Sequence, residues 1–191
     1  KNIFKLIKIF YESFANKKKQ PALILKTNGA TYSILDREDC LNKIKQVKSM
    51  FPKDWKLPNV YLLHGSFSDK QMNYLYNHPK IKSMVSLTHG EGFGRPLLEA
   101  TMTGLPVIVS GWSGQMDFLD KDRSILVGGE LKKVPKSARW KDIIIKESQW
   151  FEVDDNIVYK ALNFSFENPY DIKNKGKSLM NINTEVFTLN K

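Results

Sequence analysis

The sequence predicts an α/β protein, a Rossmann-like parallel sheet with helices on both faces. Short apolar runs, Pro21 to Lys26, Asn59 to Leu63 and Pro106 to Ser110, alternate with stretches of helical periodicity. Those runs carry no polar alternation, which is the pattern of strands covered on both faces. A glycine-rich loop, His89 to Gly94, joins one such run to the next helical stretch. Ligands of doubly wound sheets bind at such loops, at the carboxyl ends of the strands. A chain of 191 residues fits one domain over 1–191, with an inserted loop or hairpin at about 129–150.

Each element has a local reason. Over residues 2–15, Ile3, Leu6, Ile7, Phe10 and Phe14 fall on one helical face. Pro21 to Lys26 is a short buried strand. Ser33 stands three before Asp36, a capping-box spacing, and Leu41, Ile44, Val47 and Phe51 continue that helix. Asn59 to Leu63 is the next strand. Ser68 and Gln71 repeat the capping-box spacing ahead of Met72, Leu75 and Tyr76, and Pro79 closes the helix. Ile81 to Thr88 reads as a strand, Pro96 to Thr103 as a helix stopped by Gly104, and 106–110 as a strand. Ile125 to Val127 adds a further strand. Residues 129–150 lack periodicity, and their Trp140 and Trp150 are expected to anchor the insert on the core. Helical spacing returns from Asp154, and Asn168-Pro169 opens a final helix.

Composition narrows the functions. The chain carries a net charge of +10, which suits an anionic ligand and permits association with an anionic membrane surface. Its lysines are scattered, and only Arg37, Arg95, Arg123 and Arg139 supply guanidinium groups. Dedicated nucleic-acid binding, which leans on arginine and clustered basic faces, is therefore not expected. No apolar run approaches the roughly 18 residues that span a bilayer, and no signal-peptide pattern opens the chain. The single cysteine, Cys40, excludes an internal disulfide and fits a cytoplasmic protein.

The chemistry centres on residues 89–114. Glu91 and Glu99 stand eight positions apart, separated by two glycines, an aromatic and a helix-opening proline. Gly92 and Gly94 allow close backbone approach, and Pro96 suits a first helical turn, where a missing N–H costs nothing. The first N–H groups of a helix lack internal partners and bind anions. A diphosphate fits over that turn, and Glu99, one turn further in, can accept both hydrogen bonds of a vicinal diol. Lys26, at a strand's carboxyl end, is a phosphate candidate, and His89 is expected to hydrogen-bond backbone or phosphate. His64 and His78 read as structural, Cys40 as a packed thiol, and no Cys/His spacing suggests zinc.

The segment Glu91 to Glu99, followed by Gly104 to Ser110, closely resembles the EX7E signature of the group 1 retaining glycosyltransferases. That family has the GT-B architecture of two Rossmann domains, with the signature in the C-terminal, donor-binding one. Val60 to Gly65 and Ser68 to Tyr76 resemble the family's strand and helix beside the nucleotide base. Ser110 to Asp117 resembles its Gly-Gly-x-x-Glu loop, with Ser113 at the first Gly and Asp117 at the Glu. Phe151 to Asp154 resembles the acidic stretch before the penultimate helix.

The resemblance implies a donor-binding domain that transfers a sugar from a nucleotide-diphosphate sugar, with retention. It implies that Glu99 binds the donor ribose and that Glu91, the catalytic residue of the pair, contacts the transferred sugar. N–H groups of Phe93 and Gly94 would reach sugar hydroxyls, and those near Leu97 and Leu98 the distal phosphate. Gly65 and Ser66 would border the base. Lys1 matches a lysine that offsets diphosphate charge, and Arg95, Ser113 and Gly114 complete the donor loop. The donor is a substrate, and no cofactor or metal is expected. The family's first strand and its N-terminal acceptor domain have no counterpart in the chain, which predicts a part of a larger enzyme that does not turn over alone. A non-catalytic nucleotide-sugar-binding or scaffold domain, and a GT-B-like epimerase or phosphorylase, stay open as alternatives.

Overall fold

A computed structural model of the protein describes residues 2–29, 31–140 and 143–187. The chain divides into two compact units, Asn2–Leu75 and a second that begins at Tyr76.

In the first unit, helix α1 (Ile3–Phe14) buries Leu6, Ile7, Phe10 and Phe14. That is the apolar face its 3.6-residue spacing predicts. Strand β1 (Leu23–Lys26) pairs in parallel with β2 (Val60–Leu63), Leu23 opposite Val60 and Lys26 opposite Leu63. Helix α2 (Ile34–Lys48) joins them. Its cap is half of the predicted box: the Asp36 N–H donates to Ser33 Oγ at 3.1 Å, but the Asp36 carboxylate turns to the Gly29 N–H at 2.9 Å. Helix α2 ends at Lys48, so Phe51 lies beyond it. Helix α3 (Asp69–Asn77) begins with a complete reciprocal cap. There the Ser68 N–H donates to Gln71 Oε1 at 2.8 Å, and the Gln71 N–H donates to Ser68 Oγ at 3.3 Å.

The second unit is built on three parallel strands in the order β3 (Met84–Ser86), β4 (Val107–Ser110), β5 (Ile125–Val127). All four residues of the central strand are buried, as an unbroken apolar run requires. The β3 ladder is shorter than the predicted 81–88. It starts where the Met84 N–H meets the Pro106 carbonyl at 2.8 Å, and Pro106 has no N–H to extend it. Helix α4 (Arg95–Met102) connects β3 to β4. Leu97, Leu98, Val107, Val109, Phe118, Leu119 and Leu179 form the core beneath it.

Beyond β5, the predicted insert is an antiparallel pair, β6 (Gly129–Lys133) with β7 (Gln149–Val153). Gly129 is opposite Val153, and a Cβ there would lie 2.2 Å from the Glu152 carbonyl oxygen, so only glycine fits. Trp140 does not anchor this segment, being 66% exposed; Trp150 does, as described below. Helix α5 (Asp155–Glu167) is capped by the Asp154 carboxylate. Helix α6 (Pro169–Val186) lies on α4, where Asn183 Nδ2 donates to Thr101 Oγ1 in a buried bond of 2.8 Å.

The architecture is α/β, with parallel strands flanked by helices, as the alternation predicts. Among the described residues no helix is long and apolar enough to cross a membrane.

Candidate donor site

The glycine-rich loop follows β3 and is held from below by a buried hydrogen-bond chain. Thr88 Oγ1 donates to the Gly90 carbonyl at 2.9 Å, and Ser110 Oγ donates to the Thr88 carbonyl at 2.9 Å. Gln115, fully buried, donates to the Ser110 carbonyl at 2.6 Å. This arrangement fixes Thr88 to Gly90 against the end of β4. Nothing in the spacing of Gln115 announces that role, because its partner lies on the preceding strand.

Ser113 and Gly114 shape the next part. Ser113 Oγ donates to the Glu91 carbonyl at 2.7 Å and accepts from the Glu91 N–H at 3.3 Å. The Gly114 N–H donates to the same carbonyl at 3.0 Å. Ser113 holds φ at +75°, a left-handed conformation that costs a non-glycine residue about 1–3 kcal/mol. Two hydrogen bonds to the Glu91 backbone offset that cost. Ser113→Ala keeps the strain and loses both bonds, about 1 kcal/mol each. On the expectation that this loop holds a nucleotide-sugar, the change should weaken its binding by roughly tenfold in calorimetric titration, whereas unchanged affinity would mean that Glu91 needs no such anchor.

Gly94 caps α4 with φ +90° and ψ 42°, a conformation glycine adopts without strain. The helix begins at Arg95, one residue before the predicted start, which places Pro96 second, still among the positions that need no N–H. The N–H groups of Leu97 and Leu98 both donate to the Gly94 carbonyl, at 2.8 and 3.2 Å. Their side chains are buried in the core. The turn therefore already uses the two N–H groups expected to reach a distal phosphate. Those of Phe93, Gly94 and Arg95 have no hydrogen-bond partner among the described residues.

Glu99 lies one turn along α4 and is 40% exposed, with Arg95 Nε at 2.9 Å from its carboxylate. Tyr76 is buried, and its phenol is pushed up to about 12 by burial first and by the Glu99 charge second. Its folded value is raised, so the contribution to stability is full below about pH 10 and is lost between about 10 and 12. Tyr76 should ionise near pH 12 in an ultraviolet titration, well above the ordinary tyrosine value. In Glu99→Gln its midpoint should fall; an unmoved midpoint would separate the two side chains electrostatically.

His89 is the residue whose setting the sequence hid most. Its ring stacks on Trp150, centroids 4.0 Å apart and planes within 4°. Nδ1 lies 2.9 Å from the Phe151 carbonyl and 3.4 Å from the Glu152 carboxylate. The Phe151 N–H returns a bond to the His89 carbonyl at 3.1 Å. Strand β7 thus holds His89 in place and leaves Nε2 as the nitrogen for other work. Trp112 stacks on Phe151 at 5.7 Å, and Phe93, 39% exposed, rests on Phe118 at 5.3 Å.

In the first unit, Lys26 and Gly65 meet. Lys26 Nζ donates to the Gly65 carbonyl at 2.6 Å and stands 4.6 Å over the Phe67 ring. Gly65 has φ +113°, and Ser66 beside it is exposed. Lys1 lies outside the described residues.

The family model of "Glycosyl transferases group 1" matches residues 1–146. The chain belongs to the group 1 glycosyl transferases. A search of curated protein sequences gave no match. Among solved structures, this group 1 chain is similar to a protein of Anabaena, HepE, crystallised in complex with UDP and glucose. The two share 15% identity at a TM-score of 0.63, over 95% of this chain and 40% of that one. That likeness is one of fold, and the present chain spans less than half of the Anabaena chain's length. The matched residues include Glu91, the glycine loop, Glu99 and the Ser113-Gly114 turn.

Proposed function

We propose that this chain is the donor-binding domain of a retaining glycosyltransferase, transferring a sugar from a nucleotide-diphosphate sugar to an acceptor held elsewhere. The observation that carries the reading is the start of α4. Gly94 turns the backbone left-handed there, and the N–H groups of Phe93, Gly94 and Arg95 have no partner among the described residues. A pyrophosphate placed at that turn gains from these donors, from the helix dipole and from the Arg95 guanidinium. As the leaving diphosphate gains charge, the same groups stabilise it without a metal.

Glu99 then accepts from the ribose hydroxyls, with Arg95 orienting the carboxylate from 2.9 Å. Glu91, its backbone tied to Ser113, contacts the transferred sugar, and His89 Nε2 faces the same ligand. The Leu97 and Leu98 positions serve by packing the helix rather than by direct phosphate contact. Gly65 and Ser66 are the residues for the base side, Lys26 is a candidate for phosphate, and Lys1 for diphosphate charge. The domain reading is one nucleotide-sugar-binding module over the chain. Its location is cytoplasmic, with the net charge of +10 favouring contact with an anionic membrane face.

UDP and glucose in the Anabaena protein make UDP-glucose the first donor to test. Titration of the 191-residue chain with UDP-, GDP- and ADP-sugars, without added metal, should give saturable binding to one base class. A soaked crystal should show the pyrophosphate at the N–H groups of Gly94 and Arg95. Absence of binding to every donor, or a pyrophosphate remote from α4, would sink the reading.

A further inference from the structure

The structure brings His64 to two side chains of the first unit that lie 24 and 28 residues before it. Asp36 and Cys40 stand one turn apart on α2, and His64 follows the end of β2. One ligand atom from each, a carboxylate oxygen, a thiol sulfur and an imidazole nitrogen, lies within 4.8 Å of the other two. From this geometry we propose that Asp36, Cys40 and His64 form a binding site for a zinc-like divalent cation. The proposal is independent of the donor reading, whose chemistry needs no metal.

Distance allows it. For atoms at most 4.8 Å apart, some point lies within about 2.8 Å of all three. Zinc ligands stand at about 2.0–2.3 Å, so shifts of about half an ångström complete the site. The donor set suits the ion, since thiolate and imidazole select zinc and cobalt over magnesium or calcium. Charge balances as well: a dication with one thiolate and one carboxylate is neutral. That matters because the His64 and Asp36 side chains are only 5% and 11% exposed and Cys40 is buried. The cation takes a lone pair from each donor, the proton shared by His64 Nε2 and Asp36 passes to the other imidazole nitrogen, the thiol proton leaves to solvent, and water fills the fourth position.

The surroundings are those of a held ligand set. The Gly29 N–H donates to Asp36 Oδ2 at 2.9 Å, and a Cβ on Gly29 would lie 2.4 Å from Asp36 Oδ1. Backbone therefore wraps the carboxylate closely and orients it, as outer-shell donors do at metal sites. His64 Nε2 lies 2.6 Å from Asp36 Oδ2, so the two already share one centre. Cys40, the only cysteine of the chain, adds nothing to that hydrogen bond, yet it completes a three-donor triangle. A bound cation would pin α2 to the end of β2, next to Gly65.

Cobalt reports the site directly. Titration of the intact chain with Co²⁺ should give one equivalent bound, with thiolate charge-transfer absorption in the near ultraviolet, and Zn²⁺ should bleach it. Cys40→Ser should abolish that band, and His64→Gln should weaken binding at least tenfold, while His78→Gln leaves both unchanged. A second measurement needs no substitution: saturating Zn²⁺ should slow labelling of Cys40 by a thiol reagent at least tenfold, and a chelator should restore it. No thiolate band in the wild type, or labelling indifferent to Zn²⁺, would overturn the proposal.

Discussion

Glu99→Ala should weaken nucleotide-sugar binding by about 100-fold or more while leaving the melting temperature nearly unchanged. The proposed role gives the carboxylate two hydrogen bonds from a ribose diol, each to a charged acceptor and worth about 1.5–3 kcal/mol. Loss of both corresponds to at least two decades in affinity, at 1.4 kcal/mol per decade. Folding has little at stake at this position. The Arg95 partner is 80% exposed, and pairs of that kind contribute about 0–1 kcal/mol. Alanine is also the better helix former. Calorimetric titration with the best donor and a thermal melt on the same sample separate the two effects. An affinity within threefold of wild type would remove Glu99 from the site. A fall in both binding and melting temperature would assign it to structure instead.

The elements that the sequence announces are those whose cause is local. The Ser68–Gln71 cap is complete because both partners lie within one turn and nothing competes for them. The Ser33–Asp36 cap has the same spacing and is only half made, because the Asp36 carboxylate is drawn to Gly29 and to His64, which lies 28 residues on. No local pattern encodes that choice. Burial of β4 was legible for the same reason as the first cap: four apolar residues in a row have no polar face to leave in water. The walls of the donor loop were not. His89 is stacked on Trp150 and hydrogen-bonded to Phe151, 62 residues away, through an antiparallel pair that breaks the strand-helix rhythm. Residues whose partners arrive by long-range pairing carry no periodicity of their own, so the sequence marks Trp150 as an anchor without marking His89 as the ring it stacks on. Trp140 shows the converse, since its size suggests an anchor and its surroundings leave it two-thirds in solvent.

Gly114→Ala is the substitution with the largest structural effect on the site. A Cβ at Gly114 would stand 2.0 Å from the Gly92 carbonyl oxygen, 2.6 Å from the carbonyl carbon and 3.0 Å from the Glu91 carbonyl oxygen. Every one of those atoms is backbone, so no side chain can swing aside. The loop from Glu91 to Gly94 must move by about an ångström to reach ordinary van der Waals distance. That displacement breaks the Gly114 N–H bond to Glu91, now 3.0 Å, and shifts the N–H groups that face the proposed pyrophosphate. Overpacking of this kind costs about 1–3 kcal/mol, and each kcal/mol lowers the melting temperature of a domain this size by about 2–4 °C. Donor binding should fall by more than tenfold, because a positional error of an ångström misaligns every donor at the turn together. Gly92 supplies the control, since a Cβ there meets nothing within 4 Å and its φ is ordinary. Gly92→Ala should melt with the wild type. If the two alanine variants melt together, the close approach of the Ser113-Gly114 turn to the glycine loop is not what shapes the site. A lower melting temperature for Gly114→Ala alone, with binding lost, would assign the fit of that loop to backbone packing rather than to the glycines' flexibility.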